Sequence, residues 1–517
     1  MRALICFLML LTTVAAQAQN ARDYSVALSA TVDTVTPSIT LHWPSDPSAS
    51  SYLLSRKKVT DATWTTLLGM QPGTATQYTD TQVQPGATYE YKVQKIASGF
   101  NAYGYILAGS SDKPTESWGR VLLVIDTTHY AVLQSRIDRL VDDLWREGWL
   151  VERILVDRQD SVPAVKQRIQ QAYQAYPQRT SAVILLGHVP VPYSGNIAPD
   201  GHTNNHFGAW PADVYYGDMD GVWTDAVVNV TNMPSRTNNV PGDGKFDQSI
   251  PPSSVELMVG RIDMANLPAF NASEEQLLAR YLDKNHAYRT GQWDIRHRAV
   301  IDDNFGGFNG EAFASNGWRN FAPLLGIDSV TAGDYRSSMD TGTYLWSYGC
   351  GGGSYRSANG IGNTTQLAGD SLQGVFTMLF GSYFGDWDVQ DNFLRAPLAQ
   401  GNILTNAWAG RPHWSFHHMA QGYPIGYAAR LAQNNTNTYW VVFGARQVHT
   451  ALMGDPTLRM WPMAPVEGLT TSRLGRHVSL AWNSHPGATT YHIYVWDSTD
   501  QAWEEIGTTN ATTYIDS

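Results

Sequence analysis

Residues 121–126 read Val-Leu-Leu-Val-Ile-Asp and residues 182–186 read Ala-Val-Ile-Leu-Leu, and these two runs decide the fold. Neither alternates polar with apolar positions, as a strand wet on one face would, so both suit strands covered on both faces. Between them Ile137, Leu140, Val141, Leu144 and Trp145 recur at helical spacing, and Val165, Ile169, Ala172, Tyr173 and Tyr176 do the same. Strand and amphipathic helix in succession predict an α/β domain with a mostly parallel sheet, helices on both faces. Further buried strands are expected at 255–259, 298–302, 344–348 and 375–380. Reactive groups in such a sheet belong at the carboxyl ends of the strands.

The flanks read differently. Trp43, Tyr52 and Trp64 stand 9 and 12 residues apart, and Trp482, Tyr491 and Trp503 repeat that spacing near the other end. Around them apolar and polar residues alternate (Ile39, Leu41, Trp43; Tyr89, Tyr91, Val93), the mark of half-buried antiparallel strands in an all-β sandwich. Residues 23–114, with the turn Val83-Gln-Pro85-Gly86-Ala-Thr-Tyr89, resemble a fibronectin type III module, which implies a spacer or binding role. Residues 465–517 resemble the start of a second one. They hold no counterpart of Pro85-Gly86-Tyr89, so this second module is expected to be incomplete.

Residues 1–18 carry Arg2, an apolar run and an Ala16-Gln17-Ala18 end, the pattern of a secretory signal peptide. No later stretch has the apolar length of a membrane helix. Export, to the medium or the bacterial cell surface, is the expectation. The formal charge is −11, and one unit more negative once Arg2 leaves, which argues against nucleic acid as a partner. Cys6 belongs to the leader, so Cys350 stands alone in the rest and no internal disulfide framework is expected.

Within residues 118–463, four segments keep a set order: Ala212-Asp213-Val-Tyr215-Tyr216-Gly217-Asp218-Met-Asp220-Gly221, Val259-Gly260-Arg261-Ile262, Val300-Ile-Asp302-Asp303-Asn304, and Leu452-Met-Gly454-Asp455-Pro456-Thr-Leu458-Arg459. In this the domain resembles the gingipain family of secreted cysteine peptidases, which implies a caspase-like α/β fold acting on proteins or peptides. The family places a histidine in a Gly-His-Gly setting at one strand end and a cysteine at the next. A thiolate attacks the carbonyl, the imidazole manages the proton, and backbone N–H groups hold the oxyanion.

Here the first strand ends Tyr348-Gly349-Cys350-Gly351 and the second Phe380-Gly381-Ser382-Tyr-Phe-Gly385-Asp386. By that resemblance Cys350 takes the histidine's place and Ser382 the cysteine's, with Gly351 and Ser382 supplying the oxyanion N–H groups. Both dyad positions are replaced, so reduced or absent peptidase activity is expected, in a scaffold open to a binding or adhesion role. Two alternatives make Cys350 or Ser382 a nucleophile served by a histidine from another loop, with His188, His202 and His413 the candidates.

Acidic residues suggest calcium. Asp218, Asp220 and Asp225 surround one glycine turn, and Asp243 and Asp247 form a second short loop, whereas the plain alternative is aspartate capping ordinary turns. A zinc hydrolase is weighed on His202 and His206, and on His413, His417 and His418. Four-residue spacing in a Gly/Asn-rich loop gives it no helical face, and no HExxH motif exists. Phe207, Trp210, Tyr215, Tyr216, Trp223, Tyr383, Phe384 and Trp387 are expected either to bury under the loops or to stack on a ligand.

Overall fold

The computed structural model describes residues 20–109, 117–307, 312–440, 446–497 and 502–516. The expected signal peptide lies outside the described residues. Residues 20–109 form two antiparallel sheets, of three and four strands, facing each other. Their shared core holds Leu41, Trp43, Tyr52, Leu54, Tyr91 and Val93. The Tyr89 hydroxyl accepts the Gln84 N–H at 3.2 Å, tying the turn before its strand.

The middle of the chain builds one ten-stranded sheet. Its strands are β1 (Gly119–Asp126), β2 (Trp149–Val156), β3 (Thr180–Leu186), β4 (Met258–Ile262), β5 (Ala299–Asp303), β6 (Val330–Ala332), β7 (Tyr344–Cys350), β8 (Gly374–Phe380), β9 (Thr405–Trp408) and β10 (Ala451–Gly454). In space the order is β6-β5-β7-β8-β9-β10-β4-β3-β1-β2. Every neighbouring pair is parallel except β9 and β10. That seam divides the sheet into two parallel halves running in opposite directions, so their carboxyl ends lie on opposite rims.

The continuous apolar runs follow from burial on both sides. Val121, Leu123 and Ile125 join the core on one face, and Leu122 and Val124 join the core on the other. Ala182, Ile184 and Leu186 divide from Val183 and Leu185 in the same way. Helix α1 (Tyr130–Arg146) covers the first face with Leu133, Ile137, Leu140 and Leu144. Helix α2 (Val162–Ala175), capped by the Ser161 hydroxyl, covers the second with Val165, Ile169 and Ala172. Burying each such side chain contributes about 1.5–3 kcal/mol.

Two expectations shift. Trp145 leaves the apolar stripe and is half exposed, its ring 5.9 Å from Trp503 of the C-terminal segment. The strand expected from Val255 begins at Met258, because the N–H groups of Glu256 and Leu257 turn aside to the Gly217 carbonyl. The described residues between 470 and 516 form two small antiparallel sheets. There the Trp482 and Tyr491 rings lie 5.3 Å apart, as those of Trp43 and Tyr52 lie 5.2 Å apart. Among the described residues no helix is long and apolar enough to cross a membrane.

Candidate functional site

β7 and β8 pair directly, with Cys350 opposite Phe380. Cys350 therefore ends one strand, and Ser382 follows two residues beyond the end of its neighbour. The glycine run 351–353 folds back on Ser382: a Cβ on Gly353 would lie 2.2 Å from the Ser382 carbonyl oxygen, an approach only glycine permits. The Gly351 N–H donates to the Phe380 carbonyl at 3.1 Å. The expected oxyanion donor is thus spent on the sheet.

The Cys350 thiol is fully buried and donates to Asp303 Oδ1 at 3.4 Å. That carboxylate also accepts the N–H groups of Phe305 and Gly306. Burial, and then the charge of Asp303, push the thiol pKa well above its ordinary value. A thiol so placed is a poor nucleophile and metal ligand, since both roles need the thiolate.

Above Ser382 sits a histidine read in the sequence only as a zinc candidate. His206 is fully buried. Its Nδ1 lies 2.9 Å from Asp200 Oδ2, its Nε2 3.2 Å from Asp386 Oδ2 and 3.3 Å from the Tyr355 hydroxyl. Its ring stacks on Tyr383 at 4.8 Å. Tyr383 is held at φ 70°, and its N–H donates to Asp200. Arg236 pairs with Asp386 as well. Two carboxylates and two cations balance only when the imidazole is protonated. Burial alone would lower the His206 pKa, but the bonds to Asp200 and Asp386 outweigh it and raise it. Burial would likewise raise the Asp200 pKa, and its bond to His206 holds it low. With both ring N–H groups given to carboxylates, His206 has no lone pair to take a proton.

Among the described residues no histidine ring lies within hydrogen-bond distance of Cys350 Sγ or Ser382 Oγ. His188 bonds Asp263 at 2.9 Å beyond the carboxyl end of β3, which belongs to the other rim. His202 lays its ring on Tyr383 at 4.7 Å. His413 is buried with Nδ1 on the Arg411 carbonyl. The ordered motifs prove largely structural: Arg261 grips Asp213 with two 2.8 Å bonds, and Asp455 receives Asn285 and Arg289 of helix α3 (Glu274–Arg289).

The five aspartates weighed for calcium do not form one cage. Asp218 is fully buried, and its oxygens accept from Gly221 N–H, Ser253 Oγ and Trp223 Nε1. Asp225 accepts the Gly242 and Gly244 N–H groups, and Asp243 those of Val240 and Lys245. Asp247 gathers Thr224, Ala226, Val227 and Val228. Hydrogen-bond donors thus take up lone pairs on four of the five, Asp218, Asp225, Asp243 and Asp247. Asp218 and Asp220 do come together, with Glu256 rather than the other three. For zinc, His202 and His206 are separated by the commitments just described, whereas His417 and His418 meet Glu90. Trp210, Tyr216, Phe384 and Trp387 are buried under the loops, while Tyr383 stays partly accessible.

No family model matches the chain, and no curated protein matches it. Among solved structures it is similar to the Arg-specific cysteine proteinase gingipain R, at 14% identity over 78% of this chain and 92% of that one, TM-score 0.44. A Fn3-like protein from Clostridium thermocellum is 27% identical over 17% of this chain and 92% of its own, TM-score 0.15. Pectate lyase PelI from Erwinia chrysanthemi is 14% identical over 20% and 36%, TM-score 0.15. Likenesses of that depth define no activity for this chain.

Proposed function

We propose that this chain is an exported gingipain-type peptidase homologue, flanked by fibronectin type III modules, whose replaced dyad leaves it with little or no peptidase activity. The observation that carries the reading is the partner of the thiol. Cys350 donates to a carboxylate, Asp303, and the imidazole over the site is locked between two more. Among the described residues no imidazole reaches Cys350 or Ser382, so the thiol-imidazole chemistry of the family has no counterpart there. What remains is a rim suited to holding a protein or peptide. Purified protein should not digest casein or a broad peptide pool, and Cys350→Ala or Ser382→Ala should change nothing. Turnover abolished by either substitution would overturn this reading.

One observation favours a hydrolase: Ser382 is only partly buried, and its neighbour Tyr383 stacks on His206. If the loop re-pairs on binding substrate, His206 becomes the base and Ser382 the nucleophile. Covalent labelling by a fluorophosphonate, lost in Ser382→Ala, would establish it.

A further inference from the structure

We propose that the N-terminal sandwich is clamped to the α/β domain by a proton-sensitive latch and releases from it on acidification. The latch is built from both domains. From the sandwich, Glu90 lies on the strand Thr88–Ala97 and Lys57 on the strand Ala49–Lys58. From the α/β domain, His417 and His418 lie on one short 3-10 turn, His417–Gln421. Glu90 Oε1 is 2.6 Å from His417 Nε2, and Oε2 is 2.5 Å from Lys57 Nζ and 3.5 Å from His418 Nε2. All four side chains are at most 3% exposed.

The remaining titratable groups around the pair are neutral phenols. Tyr105 of the strand Phe100–Gly109 stacks on His417, and Tyr439 packs at its edge. Tyr427 of helix α5 (Ile425–Asn434) and Tyr423 of the segment before it flank His418. Lys57 already neutralises Glu90. A proton added to the His417 imidazole is therefore an uncompensated buried charge, and so would a divalent ion be, which is why three possible ligands within 4.8 Å read as a latch and not a metal site.

A second, separate observation points the same way. Arg319 of helix α4 (Ser315–Leu325) is 3% exposed at the same junction, stacked on Trp440, which in turn stacks on Tyr103 of the sandwich. Neither of its Nη atoms finds a hydrogen bond among the described residues. The interface thus holds Lys57 and Arg319 against one Glu90, a surplus of positive charge before any histidine protonates.

The sign follows. Burial, then the neighbouring His418, depress the His417 pKa from 6.5 to about 4 in the docked state. A histidine neutral when docked and free to protonate when released favours docking above pH 6.5, and that contribution is lost as pH falls from 6.5 towards 4. Glu90, held well below its ordinary value, loses its contribution in the same direction at still lower pH.

The docking equilibrium should weaken about tenfold per pH unit below 6.5, one proton being taken up on release. The Trp440 N–H donates to the Tyr105 hydroxyl across the junction at 2.7 Å, so its hydrogen-exchange protection reads the opening. In the full chain, Trp440 protection corrected for intrinsic exchange should fall about 40-fold between pH 6.5 and 4.5, while sheet amides such as Leu123 hold. His417→Gln should abolish that slope. Should it undock the sandwich already at pH 7, His417→Phe, which keeps the stack on Tyr105, serves instead. Arg319→Met should raise protection evenly across the range. A flat wild-type profile, a slope retained in both His417 variants, or lower protection in Arg319→Met would each overturn the latch.

Discussion

The molecule buries histidine against carboxylate in two places and sets the two rings in opposite charge states. Over Ser382, His206 faces Asp200 and Asp386, with Arg236 the second cation paired to them, and these four groups are neutral together with the ring charged. At the domain junction, His417 faces Glu90, which Lys57 already satisfies, and the cluster is neutral with the ring uncharged. Burial works against both imidazolium forms. The count of neighbouring charges, more than burial or a short bond to oxygen, decides the protonation state.

Substitutions can break this comparison. Asp386→Asn leaves Asp200 alone against two cations, His206 and Arg236, one charge uncompensated, and should cost about 3–5 kcal/mol in denaturant unfolding, the range for breaking a buried ion pair. Glu90→Gln likewise leaves one cation, Lys57, uncompensated and should cost about as much. A loss at either site no larger than the roughly 1 kcal/mol of a surface pair would undo the argument from charge count.

Proton titration sharpens it. His206 has a raised pKa, so its stabilisation is complete below pH 6.5 and is lost as pH rises through the raised value. Asp200, held low, contributes above its ordinary 3.8 and fades only in stronger acid. His417 runs the other way, losing its contribution between pH 6.5 and 4. Each slope reaches about 1.4 kcal/mol per pH unit, and imidazole NMR should place His206 above 6.5 and His417 near 4. Equal midpoints would contradict the comparison.

Cys350 is the control, because it touches neither cluster. Cys350→Ala should cost about 1 kcal/mol as a small buried loss and leave both histidine titrations unmoved, and the native thiol should resist Ellman's reagent. The smallest effect concerns calcium. Added to the apo protein it should move the melting temperature by less than about 1 °C, since a tightly bound ion would raise it by several degrees.

The sequence carried the fold where burial is two-sided. VLLVID and AVILL were legible because every position is apolar, and the alternation between two cores explains why. Strand β2 was not legible, for Glu152 and Arg153 sit on an edge where polar residues are tolerated. β9 and β10 have four residues each, too few to set a period. At the site, the tips bearing Cys350 and Ser382 could be placed by counting along two motifs. The buried charges could not, since His206 and Asp386 are 180 residues apart and Glu90 and His417 are 327. Asp225, Asp243 and Asp247 looked like metal ligands because their real partners are backbone N–H groups, which residue identity does not display.

The antiparallel seam between β9 and β10 sends the carboxyl ends of the two half-sheets to opposite rims, and the loop after β8 spans the gap. Asp263, just past the end of β4, accepts from Arg395, whose guanidinium also donates to the Trp387 carbonyl five residues past Ser382. The loop that carries Ser382 is thereby braced by a buried ion pair rooted in the other half of the sheet.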